Sequence, residues 1–165
     1  MRARPRTQEG NLPMTTPSAG RTRRRSTPPT PYVLDAQVGF LLRQVGQRHA
    51  AIFASQMGEE MTTTQWAALS KLAEVGPCSQ NLLGRHTAMD AATIKGVVDR
   101  LVRRGLMATR PDPEDGRRLM VVLTPEGDEA VARATPKAFA ITEETLAPLS
   151  AEERALFLAL LARMK

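Results

Sequence analysis

The chain reads Pro111-Asp112-Pro113-Glu114-Asp115-Gly116-Arg117-Arg118, then Leu119-Met120-Val121-Val122-Leu123, then Thr124-Pro125-Glu126-Gly127. The first segment is turn chemistry, with Pro, Asp and Gly supplying fixed φ, side-chain acceptors and steric freedom. The second is strand-like, as is Met107–Arg110 on the other side of the turn, so the three pieces predict a β-hairpin with arginines at its tip. The third opens a helix: Thr124 is its cap, and Pro125 sits in the first turn, where a missing N–H costs least. That helix carries Ala130, Val131, Ala134, Phe139 and Leu146, and Pro136 is expected to kink it.

Working back from the hairpin, Ile94, Val97, Val98 and Leu101 form an apolar stripe at helical spacing, closed by Gly105 as the residue after the C-cap. A short helix precedes it, capped by Ser79 and running through Leu82 and Leu83 to about His86, with a tight link at Thr87–Asp90. Another helix, Gln65 to Leu72, begins beneath the hydroxyls of Thr62–Thr64 and stops at Gly76-Pro77. Two helices at this spacing followed at once by a hairpin predict a winged helix-turn-helix over 62–124.

The flanks are helical too. Val38, Leu42, Val45, His49 and Ile52, widened by Leu41 and Phe53, predict an amphipathic helix from near Tyr32 to near Met57, ended by Gly58 and the acids Glu59 and Glu60. Ser150-Ala151-Glu152-Glu153 is a capping box that opens a last helix, expected to bury Leu156, Phe157, Leu160, Leu161 and Met164. The fold class is therefore mostly α: a winged helix with a helical dimerisation region built from 32–57 and 125–165. Apolar stripes on both terminal helices exceed what one winged helix of this size can cover, so a homodimer and a palindromic operator are expected.

Charge singles out one further segment. The 165 residues hold 23 Lys and Arg against 17 Asp and Glu, a net of +6. Residues 1–31 hold seven arginines and one acid, with six prolines and eight Ser or Thr, so the whole excess lies there and 32–165 is neutral. Such a segment buries too little apolar surface to offset its ordering entropy and reads as a disordered arm. A DNA-touching arm, a solvated tail, a start at Met14 and a transit peptide all remain open readings of it. One cysteine and two histidines exclude a disulfide framework and a Cys/His zinc site. No apolar run reaches the ~18 residues of a membrane span, and a cytoplasmic protein with no membrane partner is expected. Glycine-rich phosphate loops, nucleophile elbows and metal-ligand clusters are lacking, so no catalytic residue, cofactor or metal is expected.

These residues resemble the MarR family of transcriptional regulators. Asp115-Gly116-Arg117 followed by Leu123-Thr124-Pro125-Glu126-Gly127 is similar to its D-x-R-x5-L-T-x-x-G run, here preceded by Asp112-Pro113. Thr64-Gln65-Trp66-Ala67-Ala68-Leu69 resembles its second helix, and Val98-Asp99-Arg100-Leu101 with Arg104-Gly105-Leu106 the end of its recognition helix. The resemblance covers about 32–165. It implies a homodimer with intertwined first and last helices and two winged helices on one face. It also implies that Arg117 enters a minor groove, oriented by a charge-assisted pair with Asp115.

On the recognition helix, Ala91, Ala92, Thr93 and Lys95 lie in the first turns, which face base edges, and Arg100 and Arg103 fall off the apolar stripe farther along. Arg118 suits a phosphate. The alternative is a helix face that is merely solvated. Many members of the family release DNA when a small aromatic acid binds between the dimer helices and the DNA-binding lobe. Sensors of aromatic carboxylates in it resemble this chain in an Arg and a His six apart on the first helix, here Arg43 and His49, and in an aromatic at Trp66. Arg43 would supply a fork for a carboxylate, and His49, on the apolar stripe, wants a partner. Six residues is ~240° on the helical wheel, so one face cannot present both, but a pocket shared between subunits could. Gly39 would leave room for close approach, and His86 either joins the pocket or caps its helix. Other branches sense oxidants through cysteine, but Cys78 is expected in a loop and to be inert. The function expected is a sequence-specific DNA-binding regulator, a repressor released by an aromatic acid or its coenzyme A thioester. An architectural DNA-binder that relies on the basic arm and has no ligand response is the alternative.

Overall fold

A computed structural model describes residues 31–165. The arm expected over 1–31 lies, but for Pro31, outside the described residues. Leu34–Lys165 forms one compact unit. Its elements are α1 (Val38–Met57), α2 (Thr63–Val75), β1 (Cys78–Ser79), α3 (Gln80–His86), α4 (Ala91–Arg103), β2 (Met107–Pro111), β3 (Leu119–Leu123), α5 (Pro125–Leu146) and α6 (Ala151–Arg163).

The boundaries follow cap chemistry. Thr62 and Gln65 close a reciprocal capping box at α2, and Ser150 with Glu153 closes another at α6. Ser79, Asp90 and Thr124 each accept an N–H from the first turn of α3, α4 and α5. At the end of α4, Gly105 takes φ +72°, while its N–H and that of Leu106 reach back to the carbonyls of Val102 and Leu101. This paired arrangement requires the left-handed conformation that glycine adopts most readily.

Three expectations are corrected. The first helix starts at Val38 and not near Tyr32, because Leu34–Ala36 is a separate 3-10 turn. Cys78 belongs to a strand: β1 pairs antiparallel with β3, Cys78 opposite Val121, and the sheet order is β1-β3-β2. A two-residue strand carries no periodicity for a sequence to display. The expected long helix is present, from Pro125 to Leu146, with Pro136 inside it. Finally, α6 buries none of its residues within this chain, and Leu156, Leu160 and Met164 are exposed.

Two apolar clusters result. The larger joins α2, α3, α4 and the sheet through Leu69, Leu72, Leu83, Ile94, Val98, Leu101, Met107 and Val121. The smaller joins α1 to α5 through Ile52, Phe53, Met57, Ala134 and Ile141. Trp66 packs against both. A second joint lies at the base of the hairpin. Thr124 Oγ1 donates to the Gly105 carbonyl at 2.6 Å and accepts from the Gly127 N–H at 3.0 Å, tying the end of α4 to the start of α5. Gly127 is required there, since a Cβ would lie 2.0 Å from the Leu106 carbonyl oxygen.

Candidate nucleic-acid interface and ligand cavity

The apolar stripe of α4 is buried, which leaves Ala91, Ala92, Thr93, Lys95, Arg100 and Arg103 exposed along its other face. Asp90 caps the helix: its carboxylate accepts the Thr93 N–H at 2.7 Å, and that bond holds the carboxyl below the ordinary carboxylate range. Two cations of this face already have partners. Lys95 Nζ pairs with Asp99 at 2.6 Å, and Arg103 Nε donates to the Asp99 carbonyl at 3.2 Å. Arg100 folds its guanidinium beside Gly96. The sequence places Asp99 off the apolar stripe but gives it no role; its i,i+4 spacing from Lys95 is the signal for this pair.

The hairpin tip is ordered by its own acids. Asp112 Oδ1 accepts the Glu114 N–H at 2.9 Å, and Asp115 Oδ1 accepts the Arg117 main-chain N–H at 3.2 Å. The ionic partner of Asp115 is Arg118, at 3.1 Å, and not Arg117 as the resemblance implied. Asp115 therefore sets Arg117 through the backbone, as an Asx-type turn does. The guanidinium of Arg117 makes no hydrogen bond or ion pair among the described residues and is exposed. It is a cation held by its main chain and unencumbered at its head.

His49 and Trp66 come together. A cavity of about 170 Å³ lies between α1, α2 and α5, lined by His49, Phe53, Thr63, Trp66, Ala138, Ile141 and Thr142. His49 also borders a second, more apolar recess of about 370 Å³ with Leu42, Val45, Thr145, Leu146, Phe157 and Leu161. Its Nδ1 meets Thr145 Oγ1 at 3.0 Å. The neighbouring Arg48 donates to the carbonyls of Glu144 and Thr145 at 2.9 and 2.7 Å, and Gln56 bonds the Glu144 carboxylate at 2.6 Å. A cation at the last carbonyls of α5 complements the helix dipole.

The structure does not bring Gly39, Arg43 or His86 to this cavity. Gly39 and Arg43 are exposed on the first half of α1, and His86 is exposed in the last turn of α3. Arg43 and His49 lie apart for the reason the helical wheel gives. Phe53, Thr63, Ile141, Thr142 and Thr145 were missed. The α5 members share one face at three- and four-residue steps, but only the packing of α5 on α1 shows that this face is the relevant one.

Cys78 is buried, and burial raises its thiol pKa above the ordinary value, against a bond to the Leu83 backbone that lowers it. That is the environment of a structural thiol. Among the described residues, no three His, Cys, Asp or Glu side chains gather as a metal site needs, and no helix is long and apolar enough to cross a membrane.

Comparisons with known proteins bear on the fold and the family. Residues 61–119 match the family model described as the MarR family. The HTH-type transcriptional repressor NicR of Pseudomonas putida is 43% identical over 136 residues, which span 82% of this chain and 86% of that protein. The crystal structure of a probable transcriptional regulator from Pseudomonas aeruginosa is 54% identical with a TM-score of 0.78, covering 81% of this chain and 100% of that one. Bordetella bronchiseptica BpsR, whose DNA binding is described as regulated by 6-hydroxynicotinic acid, is 40% identical with a TM-score of 0.79, covering 82% and 97%.

Proposed function

This chain belongs to the MarR family of winged helix-turn-helix regulators, and on that premise we propose that it is a repressor released from its operator by a small aromatic carboxylic acid. The carrying observation is the 170 Å³ cavity in which His49 and Trp66 meet, at the junction of the two apolar clusters. A cavity of ~150 Å³ takes a benzene ring, so the volume suits one ring with the acid group toward its polar wall. The same volume favours a free acid over a coenzyme A thioester, whose nucleotide would have to lie outside.

DNA would be held by a homodimer through Ala91, Ala92, Thr93, Lys95, Arg100 and Arg103 in two major grooves. Arg117 would enter the flanking minor grooves, and Arg118 would sit near phosphate, with Asp115 ordering the tip. Lys95 and Arg118 exchange an intramolecular carboxylate for DNA, which lowers their net contribution. Arg117 makes no such exchange and is the stronger contact. The exposed apolar residues of α1 and α6 supply the dimer face, and Gly39 and Arg43 of a second copy would complete the ligand site across it.

Release follows from position. A ring seated against Trp66 bears on α2, and hence on the lobe, while His49 ties the same ring to α1 and α5. The effector favours whichever dimer state spaces the recognition helices out of register with two successive major grooves. The coupling is a differential affinity of ~1–3 kcal/mol. The test is fluorescence anisotropy on DNA from upstream of the chain's own gene against random DNA at one salt concentration, with and without 6-hydroxynicotinate and benzoate. Specific binding that weakens with one acid is the expected result. Equal binding to both DNAs, indifferent to acids, overturns the proposal.

A further inference from the structure

Helix α5 carries three threonines, of which Thr142 and Thr145 line the recesses beside His49. Thr135 donates its hydroxyl to the Val131 carbonyl at 2.8 Å, and Thr142 donates to the Ala138 carbonyl at 3.1 Å. This is the ordinary outlet for a helical threonine. Thr145 departs from it: its hydroxyl meets His49 Nδ1 at 3.0 Å, and no carbonyl of its own helix accepts it. Its main chain is held by Arg48, which donates to the Glu144 and Thr145 carbonyls.

A half-buried hydroxyl gives its proton to the acceptor it has. With Thr145 as the donor, the acceptor is His49 Nδ1, and a ring nitrogen that accepts is the unprotonated one. Which nitrogen of an imidazole carries the proton is set by the bond the other makes. We propose that Thr145 holds His49 as the Nε2–H tautomer, making its imidazole a hydrogen-bond donor toward an anionic oxygen of the effector. This rests on the reading of the cavity given above. Thr145 is then a positioning residue that acts through His49, and it contributes to effector specificity. Nε2 has no hydrogen-bond partner among the described residues, while the ring lines both recesses. A ligand offering a carboxylate or phenolate oxygen satisfies that N–H. An aromatic amine, which presents donors, sets N–H against N–H and is rejected.

The test uses the full chain with nitrogen-15 in its imidazoles, in alkaline buffer, with His86→Gln to leave His49 as the one histidine observed. Long-range proton–nitrogen correlation reads the tautomer directly. The expected spectrum has the proton on Nε2. Thr145→Val shifts it toward a mixture and weakens the release of operator by 6-hydroxynicotinate roughly three- to tenfold. Thr145→Ser, which restores the hydroxyl, returns both to the wild-type values and shows that the loss is not one of folding. A wild-type ring protonated on Nδ1, or a spectrum unmoved by Thr145→Val, overturns the tautomer assignment. A shifted spectrum with unchanged release overturns the donor role. Wild-type protein indifferent to the acid overturns the effector reading and the donor role together, while the spectrum still decides the tautomer by itself.

Discussion

The DNA-binding lobe and the terminal helices both carry apolar residues at helical steps and reach opposite ends. In the lobe, the stripe of α4 disappears: Ile94, Val97, Val98 and Leu101 are all buried within one chain. In α1, Val38, Leu41, Leu42 and Val45 recur at helical steps and remain exposed, as do Leu156, Leu158 and Leu160 of α6 and Met164 at its C-cap. The lobe closes its core because three helices and a sheet surround one centre. Among the described residues, α1 packs its second half on α5 and α6 buries none of its residues. Periodicity reports that a face will be buried, but not by which chain.

The sharpest way to break this contrast is to cut into the lobe. Leu101→Ala is expected to lose about 2–5 kcal/mol of unfolding free energy, read by urea denaturation monitored at Trp66. Less than about 1 kcal/mol would mean that the lobe core is looser than its burial indicates. In the terminal helices, the double substitution Leu42→Asp and Leu160→Asp should leave the chain folded and convert a dimer into a monomer, read by sedimentation velocity and circular dichroism. A dimer that persists would place the interface elsewhere.

Arg117→Ala is expected to weaken operator binding by about 1–3 kcal/mol in an anisotropy titration at fixed salt, without change in the oligomer. Arg118→Ala should cost less, because Arg118 already has Asp115 as a partner. Equal losses would show that this intramolecular pair does not compete with DNA.

The smallest effect concerns the start of the recognition helix. Asp90 has its pKa lowered in the folded state by the Thr93 N–H, so it binds fewer protons there than in the unfolded chain. Its stabilisation is present above the ordinary carboxylate pKa and is lost as pH falls through the lowered value. Asp90→Asn, a cap that does not titrate, should flatten that part of the Tm–pH profile. A profile identical to wild type would remove Asp90 from the acid dependence.

Much of this was legible in the residues because the signals are local. Thr62, Ser79, Thr124 and Ser150 act within one turn of where they sit, and Gly105 answers to the backbone of its own helix end. The hairpin tip is equally local, yet there the reading was partly wrong. Asp115 had two arginines in reach, and rotamer and turn geometry chose Arg118 for its charge and the Arg117 N–H for its second oxygen. The ligand cavity was legible only in part. His49 and Trp66 stood out by composition, as a histidine on an apolar stripe and the single tryptophan. Arg43 and His86 stood out for similar reasons and lie elsewhere.

By itself, then, the sequence determined the helices, their caps, the wing and the family, because those rest on contacts a few residues apart and on a period the chain displays. Only the tertiary structure decided that β1 exists, that Trp66 bridges both clusters, and that His49 meets Thr145 across 96 residues. Those contacts depend on how α5 lies across α1 and α2. That placement is the joint result of two cores and two joints, and no single segment encodes it.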